Sequence, residues 1–176
     1  MRPMVLVLWC ALSVATAKAA DPVVQSVDRT KAGPTASIFK VTFDKDVTPA
    51  EAEKAVSFVK AAVGVSRRVS GEPTVKASGK TVTVTVSTEK AKPAGTDFES
   101  LHLKERTDAT STYEVRFEKK PNSTRSNTFG TLVTDLDSAQ RGIQKEKKDA
   151  VKTAVSQDGA LSVVTVTYAT AGSDKK

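Results

Sequence analysis

The chain has 176 residues, of which 39% are hydrophobic, 27% charged and 5% aromatic, with a formal net charge of +7. That length suits one domain or two small ones, and the apolar share excludes wholesale disorder. The single Cys, the single Trp and both Met fall within the first ten residues (Met1, Met4, Trp9 and Cys10), so thiol catalysis and thiolate metal sites are excluded downstream of that segment.

Met1-Arg2-Pro3-Met4 is a short, weakly basic start, and Val5 to Ala17 is uncharged and mostly apolar. Ala17-Lys18-Ala19 then offers small residues at the two positions a signal peptidase reads. This three-part pattern predicts a secretory signal peptide over residues 1–19. Its apolar run is too short to cross a bilayer core of about 30 Å as a helix. Cleavage after Ala19 removes two of the 27 basic residues and none of the 20 acidic ones, lowering the charge from +7 to +5. The mature chain then holds no Cys and forms no disulfide. The expected location is secreted or in the secretory-pathway lumen, or the periplasm in a bacterium.

Residues 20–35 carry Pro22 and Gly33-Pro34 and predict a flexible, polar N-terminal lead. Ser37 to Phe43 alternates, with Phe39, Val41 and Phe43 on one face and Lys40 and Thr42 on the other, which predicts a half-buried strand. Thr48-Pro49-Ala50-Glu51 is a helix start, with a cap, a Pro at the first helical position and a Glu that closes a capping box. Ala52, Ala55, Val56, Val59, Ala62 and Val63 follow as one apolar stripe, with Gly64 as the stop.

Residues 65–80 are basic and turn-rich, and Thr81 to Val86 is a second alternating strand with its valines inward. Lys90 to Gly95 is a loop around Pro93, and Phe98 to Leu103 is a short edge strand. Thr112 to Glu118 predicts another strand, with Tyr113, Val115 and Phe117 facing the core. A polar stretch at 121–127 and an extended one at 129–133 follow. Asp135 or Asp137 then caps a second helix reaching about Val155, with Lys145-Glu146-Lys147-Lys148 solvated in its middle. Asp158-Gly159 turns the chain into a last strand, Leu161 to Tyr168, and residues 171–176 predict a disordered tail with no hydrophobic anchor.

Strand, helix and strand thus recur in two βαβ halves, about 37–87 and 112–168, within one domain spanning 36–170. Each half opens on a strand with Val two residues before Phe, and closes on Thr-Val-Thr after a Gly. The expected fold is α+β: a two-layer α/β sandwich of ferredoxin-like type, a βαββαβ antiparallel sheet with two helices on one face. Alternation rather than continuous apolar runs implies that the other face is wet. That face would expose Lys40, Thr42, Thr81, Thr83, Thr85, Arg116, Thr165 and Thr167. Thr81, Thr83 and Thr85 lying beside Thr165 and Thr167 would make a flat hydroxyl surface.

Little in the sequence points to a reaction. His102 is the only histidine, with Asp97, Glu99 and Asp108 near it and Ser100 on the same strand face, and no spacing positions a third group. One histidine without cysteines makes no zinc site, Asp44-x-Asp46 and Asp135-x-Asp137 lack the further ligands of a calcium loop, and the nine glycines form no phosphate-binding loop. No metal or cofactor is therefore expected. Three basic clusters, Arg67-Arg68, Lys119-Lys120, and Lys145, Lys147 and Lys148, form a candidate site for polyanions such as acidic glycans or nucleic acid. Asn122-Ser123-Thr124 is a glycosylation sequon in a polar stretch.

The function these features favour is a secreted, soluble, non-enzymatic protein-binding module using its sheet face or loops, with no transmembrane segment and an unknown protein partner. The alternatives are a polyanion-binding protein that uses the basic clusters and a hydrolase centred on His102.

Overall fold

The computed structural model describes residues 21–89, 97–143 and 151–169. The expected signal peptide, the loop at Pro93, Lys145, Lys147, Lys148 and the C-terminal tail lie outside the described residues. The elements are β1 (Val24–Ala32), β2 (Ala36–Phe43), α1 (Glu53–Gly64), β3 (Thr74–Ser78) and β4 (Thr81–Ser87). After them come β5 (Phe98–Arg106), β6 (Thr110–Phe117), α2 (Ser123–Gln140), β7 (Val151–Asp158) and β8 (Leu161–Tyr168). All eight strands join one sheet in the order β3-β4-β2-β1-β5-β6-β8-β7, and every neighbouring pair is antiparallel.

This overturns the ferredoxin-like expectation. The fold is β-rich, an eight-stranded antiparallel sheet with two helices. Three strands account for most of the difference. Residues 24–32, expected in a loose lead, form β1 near the centre of the sheet. Residues 74–78, expected as turns, form edge strand β3, and 151–158, expected as helix, form the opposite edge β7. The second helix runs instead over Ser123–Gln140 and starts at Asn122, whose side chain accepts from the Arg125 N–H at 2.9 Å. Asp137 caps nothing; it lies buried on that helix.

The repeat seen in the sequence is larger than two βαβ halves. It is a ββαββ unit, present twice. Val27 pairs with Val41 as Leu101 pairs with Val115, and Val41 pairs with Val82 as Val115 pairs with Ser162. The register shifts recur too, after Arg29 in β1 and after Leu103 in β5. Equivalent bonds precede both helices: Glu51 N–H donates to Thr48 Oγ1 and Arg125 N–H to Asn122 Oδ1, although Asn122 caps α2 directly while α1 begins only at Glu53, after Ala52, which makes no side-chain cap bond. Gly79 and Gly159 turn the two final hairpins at φ 57° and 58°, a left-handed conformation that glycine adopts without a Cβ penalty. The units meet where β1 pairs with β5, at Ser26–His102, Val27–Leu101 and Asp28–Ser100. Val27 and Leu101 are equivalent, so a pseudo-two-fold axis passes between them, normal to the sheet.

Both helices lie on one face of the sheet. They pack on each other, α1 over β4 and α2 over β7 and β8. The core beneath them takes all six Phe and both Tyr. A run of rings crosses the pseudo-axis: Phe39 stacks on Phe98 at 5.7 Å, Phe98 on Phe129 at 5.3 Å, and Phe129 meets Phe117 edge-on at 4.8 Å.

The two units are held differently. The buried face of α1 is Ala, Val and Phe, whereas α2 buries Ser126, Gly130, Asp137, Ser138 and Gln140 among its apolar residues. A polar knot compensates. Asp137, fully buried, accepts from Tyr113 Oη at 2.7 Å, Tyr168 Oη at 2.5 Å, Ser111 Oγ at 3.0 Å and Arg141 Nε at 3.0 Å, with Arg106 Nη1 at 3.4 Å. Arg141 also stacks over the Tyr168 ring at 4.5 Å and donates to the Thr107 and Asp108 carbonyls. Burial alone would raise the Asp137 carboxyl. The hydrogen bonds from Tyr168 and Tyr113, the charge of Arg106 and the bond from Arg141 outweigh burial and hold the group below its ordinary range. Burial, then the neighbouring carboxylate, pushes both phenols above theirs.

Candidate functional site: the open face of the sheet

With both helices on one side, the other face of the sheet stays open to solvent. Successive strand residues point to opposite faces, so the pairing register lays the outward side chains out in rows. One row runs Lys76, Thr83, Lys40, Asp28, Ser100, Arg116, Leu161, Asp158. The next runs Ser78, Thr81, Thr42, Ser26, His102, Glu114, Val163, Ser156. The pseudo-two-fold axis exchanges the two rows. Seven strand spacings of about 4.8 Å make the face roughly 34 Å wide.

The structure brings the expected outward residues Lys40, Thr42, Thr81, Thr83, Thr85, Arg116, Thr165 and Thr167 onto this face, but not as one hydroxyl patch. Thr81, Thr83 and Thr85 are on β4, second in the sheet, and Thr165 and Thr167 on β8, seventh. Between them lies a charged centre. Lys40 and Arg116 flank it from β2 and β6, both exposed. Their row carries three cations, Lys76, Lys40 and Arg116, against Asp28 and Asp158. Every Phe and Tyr is in the core, so among the described residues the open face holds no aromatic ring. That removes the stacking surface on which nucleic-acid-binding sheets rely.

At the pseudo-axis stand Asp28 and His102, equivalent residues 74 positions apart. Asp28 Oδ1 lies 2.7 Å from His102 Nε2, and Ser26 Oγ donates to Asp28 Oδ2 at 2.9 Å. The carboxylate therefore sits between the serine and the imidazole. A nucleophilic relay needs the imidazole in the middle, bonded to the serine it deprotonates. Ser100, the nucleophile considered from sequence, sits opposite Asp28 in the ladder. Among the described residues no three His, Asp, Glu or Cys side chains group to hold a metal ion.

Among the described basic cluster residues, Arg67 is engaged and Arg68, Lys119 and Lys120 are exposed. Arg67 donates through Nε and Nη2 to Asp97 Oδ2, at 2.9 Å through Nε, and through Nη1 to the Gly33 carbonyl at 2.9 Å. The bond to Asp97 raises the Arg67 guanidinium further above its ordinary range. Arg68 faces Glu89 at 3.5 Å. Lys119 and Lys120 are exposed, beside Glu118, which accepts from Arg29 at 2.5 Å. Arg29 also faces Asp97 at 3.6 Å and Glu99 at 3.5 Å, so carboxylates and cations interleave at this end of the sheet. The sequence places Asn122 in a polar stretch; the structure makes it an exposed helix cap whose Oδ1 carries the capping bond.

Sequence reasoning missed one feature on the helical face. Between α1 and α2 a groove of about 460 Å³ is floored by Phe58, Ala61, Leu132 and Leu136 and rimmed by Glu53, Lys54 and Asp135. Lys54 spans it, donating to Asp21 and to the Ala139 carbonyl. The groove exists only because the two repeats set their helices side by side, which no local pattern announces. No helix among the described residues is long and apolar enough to cross a membrane. Comparison with protein-family models, curated proteins and solved structures gives no match.

Proposed function

We propose that this chain is a secreted, non-enzymatic module that binds a protein partner against the open face of its sheet. One observation carries the reading: helices cover one face of the eight-stranded sheet, and the other presents a broad, ordered array of charges and hydroxyls. Backbone already fixed in a sheet need not be ordered again when a partner covers it, and alternating charge rewards a partner of complementary pattern. Export follows from the leader pattern of residues 1–19.

The polyanion reading is weaker because Arg67 is held by Asp97, and the exposed described cations of the clusters, Arg68, Lys119 and Lys120, have the carboxylates of Glu89 and Glu118 beside them. The test is capture of partners from the native extracellular medium by the wild-type protein and by a Lys40→Glu/Arg116→Glu variant, compared by mass spectrometry. The reading expects a partner lost by the variant and kept by a Lys60→Glu control on α1. Partners retained equally by all three proteins would refute it. Release from heparin at or below physiological salt is expected alongside; retention well above that salt would favour the polyanion reading.

A further inference from the structure

We propose that β7 is a self-complementary edge through which two copies of this chain pair antiparallel, about a two-fold axis, into one continuous sheet. A sheet edge presents unpaired backbone N–H and C=O groups, and natural proteins guard such edges with short strands, lysines and prolines. The two edges here are guarded unequally. Strand β3 has five residues, follows Pro73 and carries Lys76 at its centre. Antiparallel self-pairing about that centre would set Lys76 against Lys76 of the second copy.

Strand β7 has eight residues and no Pro, and its side chains are mostly exposed on both faces. Its charges sit at the two ends, Lys152 and Asp158, on the same open face of the sheet as Ala154 and Ser156. Among the described residues neither charge has a partner within the chain. Pairing centred on Val155 places Lys152 opposite Asp158 of the second copy, Asp158 opposite its Lys152, and Ala154 opposite its Ser156. Both ion pairs form on one face, in one register, by symmetry. A strand with its two charges of one sign, or on opposite faces, could not do this. The molecule already extends its sheet in this way, since β1 and β5 join the two repeats antiparallel about the internal pseudo-axis. The occupant is thus a second copy in an isologous contact.

The proposal is separate from the open-face reading, because Lys40 and Arg116 are not on β7 and the two tests use different variants. Sedimentation equilibrium of the full mature protein tests it, with Lys152→Asp, Asp158→Lys and the double exchange Lys152→Asp/Asp158→Lys. The wild type is expected to dimerise. Each single variant, which sets like charges opposite each other twice, should weaken the dimer by about tenfold or more. The double exchange should restore it. A wild type that stays monomeric up to its solubility limit overturns the proposal, as does a dimer indifferent to the single changes or not restored by the double one. Those last two results would assign the contact to another surface or another register.

Discussion

Asp137 is the residue whose loss should be felt most. It is fully buried on a helix with few apolar anchors, and it accepts hydrogen bonds from two phenols, a serine and Arg141, with Arg106 nearby. Replacing it by Ala removes the acceptor and leaves two guanidinium groups and the hydroxyls facing a void. Removing one partner of a buried ion pair costs about 3–5 kcal/mol. Against the stability of a small domain, about 5–15 kcal/mol in all, that is a fifth or more of the total. Tyr113→Phe, which removes one donor and leaves the carboxylate its others, should cost only about 1 kcal/mol. Urea denaturation followed by circular dichroism measures both.

The first repeat suggests an internal comparison, since Phe39 stands where Tyr113 does and Val63 lies buried on α1. Asp137→Val combined with Tyr113→Phe and Tyr168→Phe should therefore cost less than the sum of the three single changes. The pH dependence has a definite sign. Asp137 is depressed in the folded state, so its stabilisation is present above the unfolded carboxyl value, about 3.9, and is lost as pH falls through the folded one. The phenols are raised, so their contribution is complete below about pH 10 and fades as pH climbs towards their folded values. An Asp137→Ala variant that loses under 1 kcal/mol, or that keeps the acid-side slope of the wild type, would refute this account of how α2 is held.

Three further changes follow from the packing. A Cβ added at Gly130 would lie 2.6 Å from Val155 Cγ2, so Gly130→Ala should destabilise the protein by about 1–3 kcal/mol despite its better helix propensity, and Val155→Ala should relieve part of that loss in the double variant. Asn122→Ala removes the cap of α2 and should cost about 1 kcal/mol in the same urea titration; a glycan on the Asn122 Nδ2 would leave the capping oxygen in place. Ser162 is buried with no hydrogen-bond partner for its hydroxyl among the described residues, where the first repeat has Val82, so Ser162→Val should raise the melting temperature by several degrees, for a gain of about 1 kcal/mol.

What the sequence made legible follows from where its alternation is clean. β2, β4, β6 and β8 each bury every second residue, and α1 carries an apolar stripe behind the Thr48–Glu51 box, so all five are readable. β1 is not, although it lies near the sheet centre. It turns Arg29 inward to face Asp97, Glu99 and Glu118, and two register shifts break its alternation. The edges β3 and β7 have one or no well-covered face, so the sequence was free to be polar. The second helix was displaced because its buried face holds Ser126, Gly130 and Asp137, which a hydrophobic period does not detect. Its true start was present in the sequence as Asn122, overlaid by the sequon. Strand by strand, the alternation that separates outward from buried side chains is legible in the sequence. Which of them become neighbours is not, because the pseudo-two-fold order that puts β4 and β8 far apart depends on pairing over long sequence separations.

The open face is the centre of the functional account, and lysine labelling tests it most directly. The protein is acylated with and without its captured partner, and the modification at each lysine is compared by mass spectrometry. Lys40 and Lys76 lie on the open face, and Lys54 and Lys60 on the helical one. The account predicts that Lys40 and Lys76 become protected while Lys54 and Lys60 label as before. Protection of Lys54 with Lys40 unchanged would place the partner in the groove between the helices and contradict it.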